Sequence, residues 1–207
     1  MSLPRDPLGP SIPADAGVPA QAIAPRSARF ALREATSEAH ARLDALYSRF
    51  DLGRADDYGA FLLAHAPAFL AVERALETAG AADIIPDWSD RRRADALLAD
   101  IEAMGLAEPA PAPAPCFTGQ AAVLGGAYVL EGSRLGGALL VRTVAPGLPT
   151  AFLTPGNPAD WRAFISVLDE RLSSDMARAE AVSAATAVFT LFEQSARAQL
   201  EPIASDR

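Results

Sequence analysis

The sequence predicts an all-α protein folded as a single-domain helical bundle. Apolar residues recur at intervals of three and four along most of the chain, which is the period of an amphipathic helix. No segment alternates apolar and polar residues over a useful strand length. With 207 residues, the chain is most simply one domain around one continuous core.

Three helices are predicted in the first half of the chain. The first covers residues 27–50, and its apolar stripe comprises Phe30, Ala39, Leu43, Leu46 and Phe50. The second covers residues 56–80, with Pro67 as a kink and Gly80 as its end. The third covers residues 91–104 and closes at Gly105.

The second half of the chain begins with a connector. Proline and alanine alternate over residues 108–115, which predicts extended backbone. Further helices are predicted at residues 118–144, 157–177 and 178–200, the second of them starting at Asn157 and Pro158.

Composition limits the compartment and the partners. The net charge of −8 gives a nucleic acid no electrostatic reason to bind, and every positive side chain is an arginine. The single cysteine, Cys116, excludes an internal disulfide and a cysteine-rich metal site, which favours the cytoplasm. Residues 1–26 are rich in proline and are expected to be a disordered leader, and residues 201–207 a tail. No membrane span is expected, because the apolar run at residues 121–130 stops at Glu131.

His40 is the candidate metal ligand. On a helical wheel it shares one side of the first helix with Arg33, Thr36, Asp44 and Tyr47. The Asp44 carboxylate can accept the Nδ1 proton of His40, directly or through water, which leaves Nε2 free as a base or metal ligand. Arg33 adds a positive charge about 10 Å away along the helix axis. The other histidine, His65, is surrounded in sequence by apolar residues and is predicted to be a core or kink residue.

A second feature is a set of glycines inside a predicted helix, in the stretch YVLEGSRLGG at residues 128–137. Each glycine in a helix interior costs about 1 kcal/mol relative to alanine. Gly132 and Gly136 stack on one face, with Ser133 and Gly137 beside them. Such a strip of bare backbone serves either the close packing of another helix or a flat ligand lying on the main chain.

The two segments are LREATSEAHARLD at residues 32–44 and YVLEGSRLGG at residues 128–137. Both resemble the signature segments of the haem oxygenases. The likeness is greatest to the bacterial biliverdin-producing type that accompanies bacteriophytochromes. It extends in order and spacing over residues 27–200, which implies a helical domain of the haem oxygenase type there.

The resemblance implies a role for each residue of the two segments. His40 matches the proximal histidine that binds the haem iron, and Asp44 stands where the family usually has a glutamate. Arg33 matches a basic position that pairs with a haem propionate. The distal-helix glycines of the family correspond to Gly132, Gly136 and Gly137. Ser133 replaces an aspartate that organises distal water in the animal enzymes.

Other residues near these segments have two interpretations. Arg162, Tyr128 and Arg134 are candidate propionate contacts, although either arginine could be a solvated helix residue and Tyr128 could belong to the core. The run of arginines at residues 91–93 is predicted to be a solvated helix face or a docking patch for a reductase. The remaining side chains singled out are assigned to packing: Glu73, Phe189 and Phe192.

The resemblance also implies a reaction. Haem would be both substrate and cofactor, cleaved with O2 and an external electron donor, a ferredoxin or a flavin reductase, to biliverdin, CO and ferrous iron. A bacteriophytochrome could receive the biliverdin. Two alternatives stay open: a haem carrier or sensor of the same fold without turnover, and a related bundle acting on a different small molecule.

Overall fold

The computed structural model describes the backbone of residues 27–205 and the side chains of residues 27–201. Within this range the chain is helical and contains no β-strand, which confirms the predicted all-α fold. The predicted leader at residues 1–26 lies outside the described residues. The helices are α1 (Ala28–Ala35), α2 (Ser37–Tyr47), α3 (Ala55–Thr78), α4 (Ala81–Ile84), α5 (Trp88–Arg91), α6 (Ala94–Ala103), α7 (Gly119–Leu140), α8 (Pro158–Arg171) and α9 (Asp175–Ser205), with a 3-10 turn at Val141–Thr143.

The long helices α3, α7 and α9 form the centre of the bundle. Helix α9 packs against α1, α2, α3 and α7, so it joins the N-terminal helices to the glycine-bearing helix. Helix α8 lies against α1 and α7. The core contains Leu62, Phe69, Leu124, Phe164 and Val188, which are almost completely buried. Helix α9 continues through Ser205, beyond the end predicted for the last helix at residue 200.

Helix α3 is long and apolar enough to cross a membrane by length and composition alone, with a mean hydropathy of 1.3 over its most apolar window. However, 67% of that window is buried inside the fold. Pro67 lies inside this continuous helix, and Gly80 follows its end with a φ of 82°, as expected for a glycine stop. The apolar character of α3 therefore reflects its central position.

Several helix boundaries differ from the sequence prediction. The helix predicted at residues 91–104 is formed as α5 and α6, which are separated at residues 92–93. The single helix expected at residues 27–50 is divided at Thr36, whose Oγ1 donates a hydrogen bond to the Leu32 carbonyl oxygen (2.8 Å). Such back-bonding by a hydroxyl competes with the regular helix pattern. Phe30, predicted for the core, is 54% exposed. The boundary predicted between residues 177 and 178 lies instead between Arg171 and Asp175.

The connector forms no helix or strand at residues 106–117, as expected from its prolines. It is attached to α3 by a hydrogen bond from the Ala112 N–H to the Pro67 carbonyl oxygen (2.9 Å). The proline-rich segment therefore packs along α3.

His65 is a core residue, as predicted. Its ring lies 4.1 Å from that of Tyr47 and 4.4 Å from that of Phe61 between centroids. Nδ1 is 2.9 Å from the Phe61 carbonyl oxygen, to which it donates a hydrogen bond. Burial lowers the pKa of His65 to about 4, and the charge of Arg93 acts in the same direction. His65 is therefore neutral at physiological pH.

Because His65 is neutral in the fold, we expect the protein to lose stability in acid. Because the pKa of His65 falls from 6.5 in the unfolded chain to about 4 in the fold, the unfolded state binds more protons between these values. The free energy of unfolding should fall by about 2 kcal/mol on its account between about pH 7 and about pH 5. Urea titrations of wild type and His65→Leu check this. The variant should lose less stability over this pH interval, and equal losses would contradict the prediction.

Candidate functional site

His40 lies on the exposed side of α2 with its carboxylate partner. The Nδ1 atom of His40 is 2.9 Å from Oδ2 of Asp44, and both side chains are mostly exposed, at 63% and 68%. The contact is direct, so the shorter aspartate reaches the ring without a bridging water. Since Nδ1 is held by Asp44, Nε2 is the nitrogen left for a ligand.

Helix α2 is fixed to the bundle by its neighbours. The His40 ring makes an edge contact with Phe189 of α9, with 5.9 Å between centroids. At the end of α2, the Tyr47 hydroxyl donates to the Ala64 carbonyl oxygen of α3 (3.1 Å). Burial raises the pKa of Tyr47 far above its usual value, so this hydroxyl stays protonated. Tyr47 therefore anchors α2, although its sequence position placed it on the face of His40.

The glycines of α7 fall into two groups with different surroundings. A methyl group at Gly125 would lie 2.8 Å from the Cα of Ala181, and one at Gly126 would lie 2.6 Å from the Phe117 ring. These two glycines allow close packing inside the bundle. At Gly132 and Gly136, a methyl group would meet no atom within 4 Å among the residues that the structure describes. The latter pair is therefore not explained by helix packing.

Gly132 and Gly136 belong to an exposed apolar face at the C-terminal half of α7. At helical spacing this face includes Leu135 and Leu139, which are 46% and 65% exposed. Gly137, expected on the same surface, instead lies against Leu153, whose Cδ2 would be 3.4 Å from an added methyl group. The open surface therefore combines bare backbone at two glycines with exposed leucines, which suits a flat apolar ligand.

One end of this face is positively charged. Tyr128 lies one turn before Gly132 on the same side of α7, and its ring is 6.2 Å from that of Trp161 in α8. Burial raises the pKa of the Tyr128 hydroxyl, while the charges of Arg29 and Arg33 lower it. The guanidinium of Arg29 also lies over the Trp161 ring at 5.7 Å. We refer to Arg29, Arg33, Tyr128 and Trp161 as the cationic end of the site.

Arg29 was not identified from the sequence. Its neighbours belong to α7 and α8, more than 90 residues away in the chain. The sequence signal that could have found it is its position one turn before Arg33 on the same helix.

The other two candidate propionate contacts among the arginines, Arg134 and Arg162, lie in different environments. Arg134 is directed away from the open face, because its Nη2 donates to the Arg91 carbonyl oxygen and its side chain packs against Gly156. It is neither a solvated arginine nor part of the cationic end. Arg162 is exposed on α8, directly after Trp161.

The prediction that residues 91–93 form a solvated helix face is wrong for two of the three arginines. Arg91 is buried and forms an ion pair with the buried Glu131 of α7, with Nη1 and Oε2 2.8 Å apart. Arg93 is 7% exposed, and its Nη2 donates to the Leu130 carbonyl oxygen and to Ser133 Oγ, both at 2.7 Å. Arg92 alone is substantially exposed. The run of three charged residues suggested that these arginines face solvent. Instead, the guanidiniums of Arg91 and Arg93 donate hydrogen bonds to acceptors on α7.

Glu73 has a more specific role than the packing assigned to it. Its carboxylate accepts hydrogen bonds from the backbone N–H groups of Arg93 (2.7 Å) and Ala94 (3.0 Å), at the start of α6. It therefore caps this helix from α3. Phe189 and Phe192 are buried, as predicted.

Comparison with known proteins places this arrangement in a family. No family model matches the chain. A haem oxygenase of Xanthomonas campestris pv. campestris (strain 8004) is 39% identical over 122 residues, which cover 56% of this chain and 73% of that protein. The NO- and CO-bound haem oxygenase of Neisseria meningitidis has the same fold, with a TM-score of 0.76 and 24% identity over 85% of this chain and 93% of that chain. On the sequence identity and coverage of the Xanthomonas protein, the chain belongs to the haem oxygenase family.

Proposed function

We propose that this haem oxygenase binds haem between His40 and the open face of α7, and cleaves it with O2 and an external electron donor to biliverdin, CO and ferrous iron. Membership of the family makes the chain a haem-degrading oxidoreductase. The observation that carries the location is the exposed surface of Gly132 and Gly136, which continues into the cationic end.

The described residues fit the chemistry of haem. The macrocycle is flat and apolar, and would cover the exposed Leu135 and Leu139 and the bare backbone between them. The propionates carry negative charge, which the guanidiniums of Arg29 and Arg33 would neutralise. When bound, haem supplies the redox-active iron and the porphyrin ring that is oxidised.

His40 is proposed to hold the iron through Nε2. The hydrogen bond from Nδ1 to Asp44 fixes the ring orientation and leaves Nε2 for the iron. A single neutral imidazole binds iron without the permanent thiolate of other haem enzymes, which suits a substrate that must leave as product. On the opposite side, Gly132 and Gly136 admit a small gaseous ligand that a larger side chain would exclude.

The partners follow from this chemistry. The reaction requires electrons from outside the chain, and we propose a ferredoxin or a flavin reductase as the donor, in the cytoplasm. A bacteriophytochrome that takes up biliverdin is the proposed acceptor of the product.

Reconstitution tests the proposed function. Purified protein is loaded with haem, then supplied with ascorbate or a reductase system in air. The haem absorption band should disappear as a bilin spectrum develops, and CO should be released in equal amount. A stable haem complex that persists under these conditions would instead identify a carrier or sensor. Absence of a haem complex would indicate a different ligand.

The cationic end predicts a specific effect on haem affinity. Arg33→Met should weaken haem binding by about 2- to 5-fold, since a partly exposed ion pair contributes up to about 1 kcal/mol. The same change should leave binding of haem dimethyl ester unaltered, because the ester lacks the carboxylates. Arg42→Met is the matched control, since Arg42 is an exposed arginine on α2 that pairs with Glu193. Equal losses for haem and its ester would contradict the assignment.

A further inference from the structure

The segment of α7 that carries the open face is held from inside by one buried cation. The Arg93 guanidinium lies beside the contacting rings of Phe69 and Phe152, at 4.9 and 5.2 Å from their centroids. Its Nη2 has two hydrogens, and these are directed to the Leu130 carbonyl oxygen and to Ser133 Oγ, both at 2.7 Å. These acceptors flank Gly132 on either side along α7.

The Ser133 hydroxyl both accepts and donates a hydrogen bond beside Arg93. Its Oγ accepts from Arg93 and donates to the Leu130 carbonyl oxygen at 2.7 Å. A hydroxyl has one proton, and that proton is directed to the main chain. The serine therefore keeps one acceptor lone pair and has no hydrogen to give to a ligand on the open face.

We propose that Arg93 is a positioning residue, which fixes the backbone of α7 at Gly132 and Gly136 through Leu130 and Ser133. Glycines weaken a helix, and a serine that bonds back to the preceding turn tends to bend it. Arg93 is an additional, charged donor to the Leu130 carbonyl oxygen, and it restrains this segment because a hydrogen bond to a charged group is stronger than one between neutral groups. As applied to haem, the inference rests on the proposed function.

The charge of Arg93 is maintained in the fold. Burial lowers the pKa of Arg93 to about 10, and the nearby Arg134 acts in the same direction, while Glu131 and Glu73 oppose them. The group is therefore a cation at neutral pH. Ser133 is thus a neutral side chain bound to a buried positive charge.

Hydrogen exchange of the protein without haem tests the positioning role. In Arg93→Met, the backbone amides of residues 131–137 should exchange about tenfold faster or more, since about 1.4 kcal/mol corresponds to a factor of ten. Arg92→Met is the matched control, because Arg92 is the adjacent arginine, is 37% exposed and pairs with Glu77. It should leave these rates unchanged. Unchanged rates in a folded Arg93→Met would overturn the proposal.

If Arg93→Met does not fold, a double-mutant cycle with milder substitutions replaces it. Arg93→Lys retains the charge but presents a single ammonium, and Ser133→Ala removes one acceptor. Each should accelerate exchange in residues 131–137, and the effect of Arg93→Lys should shrink in the Ser133→Ala background. Additive effects of the two changes would count against a shared contact.

The haem complex supplies a spectroscopic test. In ferrous protein exposed to CO, the C–O stretching frequency should change in Arg93→Met and stay unchanged in Arg92→Met, because the backbone at Gly132 and Gly136 is no longer held through Leu130 and Ser133. An unchanged frequency in Arg93→Met would count against the positioning role. The proposed function is judged separately, by whether wild type degrades haem, whereas the exchange measurement requires no haem.

Discussion

Replacement of His40 by alanine is expected to abolish haem degradation while leaving the fold intact. Loss of the hydrogen-bond partner behind a metal ligand lowers affinity or activity by about 10- to 100-fold, so loss of the ligand should reduce turnover by more than about 100-fold. His40 is 63% exposed, and exposed substitutions change stability by about 0.5 kcal/mol or less. The measurements are bilin formation from the haem complex and the melting temperature without haem.

Chemical rescue makes this result specific. Imidazole added in solution should restore the haem spectrum and part of the activity of His40→Ala, because it can occupy the coordination position proposed for His40. Asp44→Asn should have an intermediate effect of about 10- to 100-fold, since it weakens the orientation of the ring. Arg42→Ala, an exposed change on the same helix, serves as the control. Wild-type turnover in His40→Ala would require another iron ligand.

The two glycine groups of α7 should respond oppositely to alanine. Gly125→Ala places a methyl group against the backbone of Ala181, which has to move, so the free energy of unfolding should fall by about 3 kcal/mol or more. Gly136→Ala meets no described atom within 4 Å and improves helix propensity, so it should gain about 0.5–1 kcal/mol. The same Gly136→Ala change should impair haem degradation, because its methyl group enters the space proposed for the haem ligand.

Melting temperatures without haem and turnover with haem measure this contrast. For a chain of this size, about 1 kcal/mol corresponds to about 2–4 °C. Gly136→Ala should therefore melt slightly higher than wild type, and Gly125→Ala several degrees lower. A destabilised Gly136→Ala with normal turnover would mean that the C-terminal glycines also serve packing.

Features that depend on residues close together in the chain could be predicted from the sequence. His40 and Asp44 are four residues apart, so their contact depends only on helix formation. The glycine strip was visible for the same reason, but the two possible uses of a glycine could not be separated until the surroundings of Gly125 and Gly132 were known. The helical character of the chain followed from its apolar periodicity.

Contacts between distant segments were not predictable. The burial of Arg91 and Arg93 depends on acceptors about 40 residues away on α7, and three adjacent arginines are more usual on a solvated surface. Arg29 was missed for the same reason, since its proximity to Tyr128 is created by the packing of α1, α7 and α8. The break at Thr36 depends on a single side-chain bond that competes with a continuous helix.

Helix α9 contacts the imidazole-bearing helix through Phe189 and the glycine-bearing helix through Ala181. The separation of the two surfaces proposed to bind haem is thus set by a helix that contributes neither of them. Natural variation at the inner positions of α9 is therefore expected to alter this separation, and with it substrate affinity, in relatives that conserve both motifs unchanged.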